Sequence, residues 1–111
     1  MKLLHFSAFK ADLPGEIRRI AMFLDIPVDE SRWDAIVEHC GFDYMRQHGA
    51  KIVPLGGVFW DGGAATFIHK GTNGRWRGTL TPEDCARYEQ MAVEQLGEPC
   101  ARWLSTGERL S

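Results

Sequence analysis

The chain has 111 residues, 44% hydrophobic and 25% charged, with 13 Lys+Arg against 15 Asp+Glu. That is the length of one small domain with a globular composition, which excludes a disordered tail and leaves no room for separate catalytic and cofactor domains. No apolar run approaches the roughly 18 residues of a membrane helix, and the apolar part of Met1–Phe6 is too short for a secretory signal, so a soluble, cytoplasmic chain without membrane contact is expected.

Lys2–Phe6 is a short, mostly apolar run that predicts one strand. A helix follows: Pro14 suits its first turn, and Ile17, Ile20, Ala21 and Leu24 fall at helical spacing. Pro27 forbids a simple continuation. Asp29 can cap the next helix, whose apolar face is Trp33, Ile36, Val37 and Cys40. Gly41 breaks that helix, and Phe42–His48 reads as a further turn or two. Gly49 to Leu80 holds eight of the twelve glycines without sustained periodicity, so it reads as a loop, and loops beyond about 12–15 residues tend to be functional or disordered. Its Phe59, Trp60, Phe67 and Trp76 argue that the loop packs onto something, with Phe59 and Trp60 as core anchors.

Order resumes at Thr81-Pro82-Glu83-Asp84, which combines an N-cap threonine, a first-turn proline and capping-box spacing. Cys85, Tyr88, Met91, Ala92 and Leu96 form the apolar stripe of this helix, and Gly97 can end it. A last short helix, about Pro99 to Leu104, carries Trp103. The fold class expected is mainly α with at most one or two short strands. Trp33, Ile36, Tyr88, Met91 and Trp103 are expected to be buried and Arg75 exposed. A single strand cannot form a sheet, so either Lys2–Phe6 does not pair or another chain completes the sheet.

Cys40, Cys85 and Cys100 form an odd set with no CxxC pair. This argues against a disulfide framework and a cysteine zinc site; no metal is expected, and Cys40 and Cys85 read as small core residues. The net charge of −2 is uneven. Between Gly49 and Leu80, Lys51, Lys70, Arg75 and Arg77 face only Asp61, a balance of +3, and the rest of the chain carries −5. A local positive field in an acidic chain suits a small anion rather than a nucleic acid.

The chemistry concentrates in Phe67-Ile68-His69-Lys70-Gly71-Thr72-Asn73-Gly74-Arg75-Trp76-Arg77. Gly71 and Gly74 permit turns that aim backbone N–H groups at a common point. Lys70 adds a mobile ammonium, and Arg75 or Arg77 a planar fork suited to phosphate or sulfate. Phe67 or Trp76 could cover a planar base. The stretch is not a Walker A loop, because GxxxxGK[ST] occurs nowhere in the chain.

His69–Arg77, running on to Thr81, resembles the C-terminal RKGxxGDWKNxFT signature of cytosolic-type sulfotransferases, enzymes that use 3′-phosphoadenosine-5′-phosphosulfate (PAPS). The flanks are similar as well: Phe6–Lys10 to a Y-E-D-hydrophobic-K segment that ends a strand, Ile17–Pro27 to an "IxxFLGIP" helix and turn, and Glu38–Met45 to an "HxSFxxM" segment. The resemblance implies the C-terminal portion of an α/β P-loop-type fold lacking most of its parallel sheet. On this reading residues 1–111 are one partial domain: 1–48 as strand plus helices, 49–80 as the cofactor-type loop, and 81–111 as C-terminal helices.

Residue by residue, the resemblance gives His69, Lys70 and Gly71 to the 3′-phosphate of PAPS or of its product 3′-phosphoadenosine-5′-phosphate (PAP). Phe67 falls where an aromatic lies against the adenine. Cys40-Gly41-Phe42 replaces a Ser/Thr-Ser-Phe run, so hydroxyl contacts are lost while the Phe42 ring remains. Phe6 replaces a tyrosine and keeps only its stacking surface. His69 replaces an arginine, which makes phosphate affinity depend on its protonation, and Arg75 reverses an acidic position. The family's dimer motif survives only as Arg77, Thr81, Pro82 and Ala86, without its hydrophobic and acidic members. The phosphosulfate loop and the catalytic histidine and lysine precede the region matched and are not found in these residues. No catalytic residue is therefore assigned: His5, His39, His48 and His69 show no partner triad. The partner implied is a homodimer or the missing N-terminal half, completing the sheet around a small anionic nucleotide. The alternative is a non-catalytic, self-associating module derived from a sulfotransferase.

Overall fold

A computed structural model describes residues 1–108. It is mainly α, and among the described residues the only β pairing is an isolated bridge between Arg77 and Leu80. The chain divides into two compact units, Leu13–Thr72 and the pair of segments Met1–Asp12 with Asn73–Ser111.

In the unit Leu13–Thr72, α2 (Leu13–Phe23) carries Pro14 in its first turn as the spacing predicts. Asp29 accepts from the Ser31 backbone N–H at 3.0 Å and starts a 3₁₀ turn, Glu30–Arg32, that feeds α3 (Trp33–His39). Arg18 joins the two helices. Its guanidinium donates to both Glu30 carboxylate oxygens at 2.7 and 2.9 Å while its Cζ sits 3.8 Å from the Trp33 ring centroid. The segment after Gly49 is not the plain loop expected. It contains α5 (Gly49–Ile52), a 3₁₀ turn (Pro54–Gly57) and α6 (Ala64–Phe67), each a single turn too short to show periodicity. Phe59 is 73% exposed rather than a core anchor, whereas Trp60 is half-buried against Phe67, ring centroids 4.6 Å apart. Val53 is buried, as is Glu16, whose carboxylate is paired with Arg19 one turn on.

In the other unit, Lys2–His5 forms no strand, and Phe6 opens α1 (Phe6–Ala11) instead. The reason is local: a lone strand has nothing to pair with, and His5 caps a helix with its own side chain. Thr81 caps α7 (Pro82–Leu96) in a reciprocal box with Asp84, as its spacing predicts. Gly97, at φ 77°, turns the chain directly into α8 (Glu98–Thr106), which packs on α7, and Ala92, Val93, Ala101 and Leu104 line a groove of about 320 Å³ between the two helices.

Burial departs from expectation in a consistent direction. Trp33, Ile36 and Trp103 are only half-buried, while Tyr88 and Met91 are 56% and 52% exposed. Cys85 is half-buried, and Cys40 is exposed rather than in a core. Arg75 is exposed as expected. Tyr88 lines the open groove between α7 and α8, which leaves its ring largely uncovered. Among the described residues, no helix is long and apolar enough to cross a membrane.

Candidate functional site

Six of the seven candidate residues lie in the unit Leu13–Thr72: Cys40, Phe42, Phe67, His69, Lys70 and Gly71. Phe6 belongs to the other unit, at the first position of α1, with its ring exposed.

The sequence builds the centre of the site by a tight reversal. α3 ends at His39, and Cys40 closes it with its N–H on the Ile36 carbonyl at 3.2 Å. Gly41 then turns so sharply that a Cβ there would lie 3.1 Å from the Glu38 carbonyl oxygen. Its extended backbone makes Phe42 the first residue of α4 (Phe42–Gln47). From the other direction, α6 stops after Phe67, and His69–Thr72 continues as coil with His69 and Lys70 exposed. Gly71 adopts φ +63°, and a Cβ placed on it would come within 2.7 Å of Phe42 Cε2. The Gly71 backbone therefore rests directly on the Phe42 ring, which brings Lys70-Gly71 to the aromatic side chain.

Beside Phe42 lies an open hollow of about 310 Å³, lined by Glu38, Gly41, Asp43, Tyr44 and Gln47 as well. Tyr44 is the middle of a three-ring stack, with His39 at 4.2 Å and His48 at 4.0 Å between centroids. The His48 Nδ1–H donates to the Tyr44 carbonyl at 2.9 Å, since a carbonyl oxygen can only accept. The arrangement thus joins a cation and a side-chain-free backbone turn to an aromatic face, with carboxylate and amide acceptors close by. That set suits a molecule with an anionic group and an amine-bearing planar ring.

Phe67 instead meets Trp60, the two rings tilted by 53°. Arg75 and Arg77 fall in the other unit, where the Arg77 Cζ lies 5.3 Å from the Trp76 ring centroid. The hollow and its Tyr44 stack escaped the sequence reading. The signal available was Tyr44 and His48 four residues apart, on one face of a short helix.

The sequence profile of the sulfotransferase domain matches residues 1–98. The chain belongs to the sulfotransferase family. It is 29% identical over 110 residues to a glycolipid sulfotransferase of Mycobacterium bovis, covering 96% of this chain and 33% of that protein. It is 29% identical over 94 residues to mouse sulfotransferase 1B1, covering 84% and 31%, and 26% identical over 105 residues to rat sulfotransferase 2B1, covering 93% and 31%. This sulfotransferase chain thus spans about a third of the length of the curated relatives it matches. No solved structure matches it. Its helices and exposed apolar faces are those of a mainly α piece of a sulfotransferase fold.

Proposed function

We propose that this chain supplies the 3′-phosphate- and adenine-binding side of a PAPS site, for sulfuryl transfer to a hydroxyl or amine acceptor. The observation that carries the reading is the seating of Gly71 on Phe42, because it sets a side-chain-free backbone turn, directly after Lys70, against an aromatic ring. Lys70 would meet the phosphate as a mobile point charge, and the glycine turn lets backbone approach an anion closely. His69 would add a second donor. The Phe42 ring would stack on adenine, with Glu38, Asp43 or Gln47 able to accept from its exocyclic amine. Phe67, Cys40 and Phe6 enter by family resemblance, Cys40 without the hydroxyl of its counterpart.

PAPS supplies the sulfuryl group. Transfer further requires a base for the acceptor proton and cations around the departing phosphate, and three of the four histidines are engaged otherwise: His39 and His48 stack on Tyr44, and His5 is bonded at both ring nitrogens, while His69 is read here as a phosphate donor. The chain by itself is therefore read as inactive, its exposed Tyr88, Met91 and Phe59 awaiting cover by the remainder of the fold.

Calorimetric titration of the chain with PAP tests the proposal. The expected result is binding that weakens at least tenfold in Lys70→Ala and recovers in part in Lys70→Arg. Absence of heat at millimolar nucleotide, or affinity indifferent to Lys70, overturns it.

A further inference from the structure

The side chain of His5 is engaged at every polar atom. Its Nδ1 accepts from the Ser7 backbone N–H at 3.1 Å, which caps α1, and its Nε2 lies 2.8 Å from the Leu104 carbonyl oxygen of α8. A carbonyl oxygen can only accept and a backbone N–H only donate, so Nε2 carries the proton and Nδ1 is bare: one neutral tautomer fits. The ring meets Trp103 edge-on at 5.3 Å, and Gly107 closes over Nδ1 so tightly that a Cβ there would lie 2.6 Å from it. Gly107 can do this because it ends α8 in the left-handed conformation, φ 76°.

We infer that His5 is a proton-operated latch that fastens the start of the chain to α8 when neutral and releases it when protonated. A proton added at Nδ1 would point at the Ser7 N–H, turning an acceptor–donor pair into two opposed donors, and Gly107 leaves little room there for water. The new positive charge would also sit at the N-terminal end of α1, where the backbone already presents partial positive charge. Ser7, Trp103, Leu104 and Gly107, which hold the ring, are all uncharged. The charged groups on the elements around it are Lys2 just before it, Lys10 on α1 with Asp12 at its C-cap, Glu98 and Arg102 on α8, and Glu108 just past Gly107. Arg102 and Glu108 satisfy each other at 2.7 Å, which leaves that pair without net charge to hold a protonated ring. The latch joins residues 99 positions apart, so its opening removes one tie between the start of α1 and α8.

The test is NMR on the ¹⁵N-labelled chain without nucleotide, so its outcome is independent of PAP binding. At about pH 7.5, long-range ¹H–¹⁵N correlations should show the Nε2–H tautomer of His5, with the α1 amides protected from exchange. At about pH 5, protection in α1 should fall roughly tenfold, the loss of one hydrogen bond with its cap, while α3 is unchanged. His5→Asn keeps a side-chain acceptor for the Ser7 N–H but cannot titrate, so its α1 protection should be the same at both pH values. An Nδ1–H tautomer at neutral pH, equal protection at both pH values in the unmodified chain, or an equal acid-induced loss in His5→Asn overturns the inference.

Discussion

The backbone of Gly71 lies on the ring of Phe42, at a position where a Cβ would stand 2.7 Å from Cε2. Two constraints coincide there: φ of +63° favours glycine on conformational grounds, and the ring leaves no space for a side chain. Gly71→Ala should therefore destabilise the chain by about 1–2 kcal/mol from the left-handed conformation alone, with a further loss from the displaced ring. Gly78 separates the two effects, since it has φ +84° and nothing within 4 Å of an added Cβ. Urea midpoints should fall further for Gly71→Ala than for Gly78→Ala, and PAP affinity should fall only in the former. Equal midpoints for the two variants would show that the Phe42 contact is immaterial.

That contact also marks how far the sequence can be read. Helices long enough for periodicity, or bounded by caps, were legible: Leu13–Phe23 from its apolar spacing and Pro82–Leu96 from Thr81, Pro82 and Asp84. The strand at Lys2–Phe6 was not, because five apolar-rich residues suit a strand or a helix start, and His5 as a cap decides it through Ser7 and Leu104. The single turns between Gly49 and Phe67 were invisible, since four residues carry no period. Burial was misjudged at Tyr88 and Met91 because an apolar stripe tells which face wants cover, and cover depends on what else is present. Lys70 and Gly71 were named from the sequence. The meeting of Gly71 with Phe42, some thirty residues earlier, is a tertiary contact that no local pattern encodes.

Arg18 makes a sharper case for geometry over charge. It bonds both oxygens of Glu30 and stacks on Trp33, a combination that a planar guanidinium can make and an ammonium cannot. Arg18→Lys keeps the charge yet should lower the melting temperature nearly as much as Arg18→Ala does. Trp33→Leu should remove most of the difference between arginine and lysine at position 18. A lysine variant as stable as the parent chain would mean that the pair acts only as an exposed ion pair, which typically contributes little.

The cap of α7 offers a measurement in the other unit. Thr81 Oγ1 accepts from the Asp84 N–H at 3.1 Å, and Asp84 Oδ2 accepts from the Thr81 N–H at 3.1 Å and from its hydroxyl at 2.7 Å. Thr81→Ala removes both hydroxyl contacts and should cost about 1 kcal/mol, the usual loss for an N-cap residue. Thr81→Ser should cost less than half as much in the same denaturant titration. If alanine is tolerated without loss, Pro82 and the packing of α8 suffice to start the helix.

The same cap sets a sign for the effect of acid. The Thr81 hydroxyl, and after it the Thr81 backbone N–H, hold the Asp84 carboxyl below its ordinary value of 3.8. The folded chain thus binds a proton at Asp84 less readily than the unfolded chain, so its contribution to stability rises with pH. It is fully present above the ordinary value and is lost as pH falls through the lowered one. Glu30, held down first by its hydrogen bond from Arg18, works in the same direction from an ordinary value of 4.5. The melting temperature of the unmodified chain should decline on acidification below about pH 4.5, and Asp84→Asn should be measurably flatter over that range. Adding Glu30→Gln should flatten the curve further and independently, because the two carboxyls sit in separate units.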